Sequence, residues 1–213
     1  METERTDEEL LAAYQAGDAQ AFERLLRRHR GPLFTFLLRM VADRQRAEDL
    51  VQEAFLRLVR SAGRWEAKAR FQTWLYTIAR NLCTDQARRD RFRRTESLDA
   101  QVASMDGEGP PLVETVPGEG PSPDRAADSA LVRPALLRAL MSLPLEQREV
   151  FLLREQAGLP FKEIAELVGC NENTVKSRMR YALEGLRKHL TAAGVTEESA
   201  EAGQPAVLGE SVT

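Results

Sequence analysis

The chain has 213 residues, 43% hydrophobic and 6% aromatic, and its 30 Lys+Arg against 33 Asp+Glu leave a net charge of -3. That length suits one large domain or two small ones. No apolar run reaches the roughly 18 residues of a membrane span, METERTDEEL is too acidic for a signal peptide, and Cys83 and Cys170 lack zinc or CxxC spacing, so both are expected as buried, reduced thiols of a cytosolic protein.

Residues 7–94 read as helix throughout, with no run of strand period. A short helix over Asp7–Ala16 stops near Gly17, and Asp18 can cap the next. That second helix buries Phe22, Leu25 and Leu26, is expected to break or kink at Gly31-Pro32, and resumes with Leu33, Phe34, Leu37 and Leu38. Asp43 is a plausible cap for a third helix, whose stripe is Ala47, Leu50, Val51, Ala54, Phe55 and Leu58. Asp49, Gln52 and Glu53 fall off that stripe and face outward, as a binding face or simply a solvated one. A loop over Ser61–Arg70 follows. In it Trp65 stands among Arg64, Lys68 and Arg70, the equipment for stacking an unpaired base; the alternative is a loop residue folded back onto the core. The fourth helix is expected to bury Phe71, Trp74, Leu75, Ile78 and Leu82 and to end in the basic run Arg88–Arg94.

Thr95–Ala130 holds five Pro, four Gly and eight acids against one Arg. Such a composition cannot bury a core and predicts a disordered or extended acidic connector.

The C-terminal block opens with a helix over Leu131–Met141, apolar at Leu136, Leu137 and Leu140, with Pro134 in its first turn. Pro144 suits the start of the next helix, which is expected to bury Val150, Phe151 and Leu153 and end near Gly158. Two further helices then flank a tight turn. Phe161–Val168 has Phe161, Ile164, Ala165 and Val168 on one face; Gly169 supplies the turn; Asn171 can cap a second helix with the stripe Val175, Met179, Ala182, Leu183, Leu186 and Leu190. Lys176, Ser177, Arg180, Tyr181, Arg187 and Lys188 stand off that stripe. Two short helices, a glycine turn and a basic free face describe a helix-turn-helix, in which Lys and Arg meet phosphates and forked or hydroxyl groups meet base edges. A helical hairpin with a solvated basic face has the same outline. Residues 192–213, small and acidic, are expected to form a disordered tail.

The charge is segregated along the chain. Residues 1–94 carry 19 Lys+Arg and 14 Asp+Glu; 95–131 carry 1 and 8; 132–191 carry 10 and 7; 192–213 carry 0 and 4. Two basic blocks around an acidic connector suggest two polyanion-binding modules, although solvated faces give the same counts.

Three stretches carry a resemblance. LPLEQREVFLLREQAGLPFKEIAELVGCNENTVKSRMRYALEGLRK resembles region four of the small extracytoplasmic-function sigma factors of bacterial RNA polymerase. AEDLVQEAFLRLV, Ala47–Val59, resembles the sigma helix that clamps onto the coiled coil of the polymerase's largest subunit. FQTWLYTIARNLCTDQARR, Phe71–Arg89, resembles the helix that holds the minus-10 promoter element.

The resemblance implies an all-α fold in four parts: a region-two-like domain over 1–94, a linker over 95–130, a region-four-like helix-turn-helix domain over 131–191 and a tail over 192–213. It implies Asp49, Gln52 and Glu53 for polymerase binding, and Trp65, Arg80, Asn81, Arg88 and Arg89, with Arg91 and Arg93 nearby, for minus-10 DNA. For minus-35 DNA it implies Thr174, Lys176, Ser177, Arg178, Arg180 and Tyr181. The implied partners are core RNA polymerase, promoter DNA and, as for many members, an anti-sigma factor; the implied location is cytoplasmic, at the nucleoid when active, with no membrane insertion and no cofactor. The connector would thread the polymerase channels as an acidic mimic of RNA. Three departures stand out. Thr77 and Ile78 occupy the places where primary sigma factors carry two duplex-wedging aromatics, Pro160 replaces a common Ser or Thr cap, and Tyr181 replaces a common Arg.

Two other readings remain. A free-standing helix-turn-helix regulator needs only the C-terminal block. A nuclease needs clustered carboxylates, whereas no metal-ligand cluster, phosphate-cradling glycine loop or triad is present, and His29 and His189 are isolated.

Overall fold

The structure, a computed structural model, describes residues 5–65, 70–98 and 134–195, with backbone only for 90–98. Among the described residues it is all helix. Helix α1, Asp7–Gln15, starts in a capping box: Glu9 N donates to Thr6 Oγ1 at 3.2 Å and Thr6 N to Glu9 Oε2 at 2.8 Å. Helix α2, Ala19–Val41, is capped by Asp18, whose Oδ1 accepts from Gln20 N and Ala21 N at 3.0 and 3.2 Å.

The break expected at Gly31-Pro32 does not occur: α2 runs through Pro32. Proline in a helix interior costs about 3 kcal/mol. Here Leu25, His29, Leu33, Phe36, Leu37 and Met40 keep one buried stripe in register across it, and burial on both sides outweighs the one missing bond.

Helix α3, Arg44–Ala62, begins at Asp43, whose Oδ1 accepts from Arg46 N at 3.0 Å, and buries the expected stripe from Ala47 to Leu58. Helix α4, Phe71–Leu98, continues past residue 94 into the expected connector. Its core face also differs from expectation. Phe71, Leu75 and Leu82 are buried, but Tyr76, Ala79 and Cys83 join them, while Trp74 and Ile78 are half-buried. The strip turns because α2 lies alongside: Tyr76 packs edge-on against Phe36, ring centroids 5.0 Å apart.

In the second block, α5 covers residues 134–142 with Pro134 in its first turn; residues 131–133, the connector beyond Leu98 and the tail beyond Val195 lie outside the described residues. Ala135, Ala139 and Leu140 face inward, and Leu136 and Leu137 are half-buried. Helix α6, Leu145–Glu155, buries Val150, Leu152 and Leu153; Phe151, expected inside, is half-buried because Leu152 takes the inner place. Helices α7, Phe161–Val168, and α8, Glu172–Ala192, complete the block.

The two blocks touch, with α6 against α2 and α7 against α4. Gln156 Nε2 donates to Pro32 O at 2.9 Å, and Arg39 Nη1 donates to Gln156 Oε1 at 3.2 Å.

Candidate nucleic-acid interface

The α7–α8 turn is built locally. Gly169 takes φ 77°, a left-handed conformation that closes α7 as its N–H donates to Ala165 O at 2.9 Å. Asn171 Oδ1 then accepts from Thr174 N at 2.8 Å and from Thr174 Oγ1 at 3.0 Å, capping α8. Pro160, before α7, makes no side-chain cap bond. Val175, Met179, Ala182 and Leu186 anchor α8 on the block's core, which leaves Lys176, Ser177, Arg180 and Tyr181 exposed on its free face. Leu183, expected in the anchoring stripe, is 49% exposed, since the stripe is wider than the surface it packs on.

Charge on the free face is arranged in pairs. Lys176 Nζ lies 2.6 Å from Glu172 Oε1. The Arg180 guanidinium stands 4.9 Å from the centroid of the Tyr181 ring. Arg178 is half-buried beside Cys170, and with Asn171, Asn173, Thr174, Ser177 and Tyr181 it lines a shallow cleft of about 460 Å³. Of the six candidate residues on α8, five present side chains to this surface. Thr174 is half-buried, its hydroxyl engaged by the cap.

Asn81, Arg88 and Arg89 are exposed along α4. Arg80 is not free: its Nε donates to Glu149 Oε1 of α6 at 2.5 Å. One and two turns away, Thr73 Oγ1 donates to Glu163 of α7 and Thr77 Oγ1 to Thr73 O at 2.7 Å. Trp65 is half-buried, its ring centroid 6.3 Å from that of Trp74, and its indole N–H is buried without a partner. Gln15 Nε2 fastens this loop by donating to Ala62 O at 2.8 Å and Trp65 O at 3.0 Å. Arg64 and Arg70 are exposed beside it, and Lys68 lies outside the described residues, as do the side chains of Arg91 and Arg93.

On α3, Asp49 and Gln52 are exposed and Glu53 is partly so. Arg57 Nε donates to Glu53 Oε1 at 2.8 Å and holds that carboxyl below its usual range. Amid these three polar residues is one that sequence reasoning passed over: Leu56, 50% exposed. The signal was there, an aliphatic residue on the outward side of an amphipathic helix. Leu56 and Val59 edge an open groove of about 1010 Å³ between α2 and α3, floored by Phe22, Phe34 and Phe55. Among the described residues no cluster of His, Cys, Asp or Glu could hold a metal, and no helix is long and apolar enough to cross a membrane.

The chain matches the family Sigma-70 region 2 over residues 25–93 and Sigma-70, region 4 over residues 133–186. It is 32% identical over 193 residues to the RNA polymerase sigma-H factor of Pseudomonas aeruginosa, covering 89% of this chain and 96% of that one. It is 34% identical over 189 residues to the ECF RNA polymerase sigma factor SigM of Mycobacterium tuberculosis, covering 88% and 86%. Among solved structures, the sigma factor RpoE in complex with the anti-sigma factor NepR from Bartonella quintana aligns with a TM-score of 0.64 at 25% identity, covering 81% of this chain and 98% of that one.

Proposed function

The chain belongs to the small extracytoplasmic-function group of the sigma-70 family, and on that premise we propose a division of labour among its surfaces. As an RNA polymerase sigma factor it is an initiation factor rather than an enzyme, binding core polymerase and promoter DNA to direct promoter-specific transcription.

The exposed face of α8 reads the minus-35 element. Lys176, Ser177, Arg180 and Tyr181 meet base edges in the major groove, Arg178 and Lys188 hold phosphates, and Thr174 positions the helix start. The α4 surface, with Arg80, Asn81, Arg88 and Arg89, meets the minus-10 element. Trp65 serves it by bracing the loop that carries Arg64, and stacks on an unpaired base once that loop lifts from Trp74. Asp49, Gln52 and Glu53, around Leu56, form the polymerase face: an aliphatic anchor with acids beside it suits a basic partner surface and sets the register of docking. An anti-sigma partner accords with the complex in which the Bartonella quintana neighbour was solved. The working location is the cytoplasm, at the nucleoid when transcription is under way.

The observation that carries this reading is the coexistence of two unrelated surfaces: a helix-turn-helix face on α8, and an outward α3 face with an exposed leucine that a self-sufficient repressor would not need. Transcription in vitro with core polymerase tests it. Run-off product from a cognate promoter, dependent on this chain, is expected. Tight operator binding by the chain alone, indifferent to changes at Gln52 and Glu53, would instead identify a repressor.

A further inference from the structure

The strongest contact between the blocks falls on a surface already assigned to DNA. Glu149, on α6, is 4% exposed, and Arg148 beside it is 8% exposed. A carboxylate taken out of water is costly unless a charged partner meets it. Glu149 finds that partner in Arg80, across the gap between blocks. Seven residues earlier on the same face of α4, Thr73 donates to Glu163 of α7. Cys83, one turn beyond Arg80, is also buried, and both burial and the nearby Glu149 charge push its thiol up to about 12. On α2 the Gln156 amide closes the seam against Pro32 O and Arg39. Carboxylates thus sit where nucleic-acid phosphates would approach Arg80 and Thr73.

We propose that the chain on its own is held closed, with α6 and α7 lying across the Thr73–Arg80 face of α4, so that Glu149 and Glu163 occupy the place of promoter phosphates. This rests on the assignment of Arg80 to minus-10 DNA. Engaging that strand requires the blocks to part, and a partner that binds only the parted form shifts the equilibrium toward it. Polymerase, gripping the α3 face and the second block at separate points, does this; DNA alone must displace the acids first.

Distance measurement on the full chain tests closure. Spin labels at Arg24→Cys and Glu184→Cys, both exposed sites in different blocks, in a Cys170→Ser background, should give one narrow distance distribution for the free protein. The paired change Glu149→Gln with Glu163→Gln should broaden it and raise affinity for a fluorescent single-stranded minus-10 oligonucleotide by about five- to tenfold. A broad distribution before those changes overturns closure, whatever the DNA result and whether or not the double variant folds. A distribution that stays narrow in the folded double variant overturns the role of the two acids. Arg80→Ala separates the remaining cases. If it transcribes poorly while the opened variant gains no DNA binding, masking alone is overturned. If it transcribes normally, the assignment of Arg80 to DNA falls, and masking falls with it.

Discussion

Asp7 Oδ2 lies 2.7 Å from His29 Nε2, tying the first helix to the middle of the second; Asp7 Oδ1 also takes Arg28 Nη1 at 2.5 Å. Burial alone would raise the Asp7 carboxyl, but its bonds and charge interactions with His29 and Arg28 outweigh that and hold it below its ordinary 3.8. A depressed folded pKa contributes stability that is present above the ordinary value and lost as pH falls through the folded one. Asp7→Asn should therefore cost about 1–3 kcal/mol at neutral pH and flatten the loss of stability below about pH 4. Thermal melts followed by circular dichroism between pH 7 and pH 3 measure both; an unchanged acid limb would show that the bond adds nothing.

Replacing Arg180 by Ala should weaken promoter binding by about 1–3 kcal/mol and relax preference at one base pair of the minus-35 element. The same change removes the cation over the Tyr181 ring, so Tyr181→Phe, which keeps the ring, should lose less. Transcription from a library randomised at the minus-35 element reads this out, and an unaltered preference for Arg180→Ala would remove that residue from the reading face.

Leu56→Glu tests the polymerase face. The residue packs little in the folded chain, so stability should stay within about 0.5 kcal/mol of the starting value. Co-purification with core polymerase should nevertheless be lost, because the central apolar anchor would become a charge facing the docking surface. Retained co-purification would place the interface elsewhere.

The two thiols should differ sharply in reactivity. Raising the Cys83 pKa from 9.0 to about 12 lowers its thiolate fraction near neutral pH by roughly a thousandfold, and the residue is also buried. Cys170 is only half-buried, in the turn before α8. Titration with an aromatic disulfide at pH 8 should count one reactive thiol in the native chain and two in guanidinium. Two fast thiols in the native chain would mean that the Cys83 site opens readily.

What the sequence by itself determined is whatever depends on near neighbours along the chain. The caps at Asp18, Asp43 and Asn171, the left-handed turn at Gly169 and the α3 stripe all follow from residues within a few positions of each other, and all stand in the structure as read. So do the exposed residues of α8, because a helix with one apolar stripe has one free face. What tertiary structure decided is which part of each stripe finds a partner. Tyr76 and Cys83 are inside because α2 and the second block lie against α4, while Leu183 is outside because its neighbours do not reach it. Pro32 remains within a helix because burial along α2 continues past it. Local pattern also assigned Arg80 to an open surface. Its partner, Glu149, lies 69 residues away across an unstructured-looking composition, and a charge pair at that separation leaves no periodic trace in the sequence. Only the packing of α6 and α7 on the first block brings the two charges together.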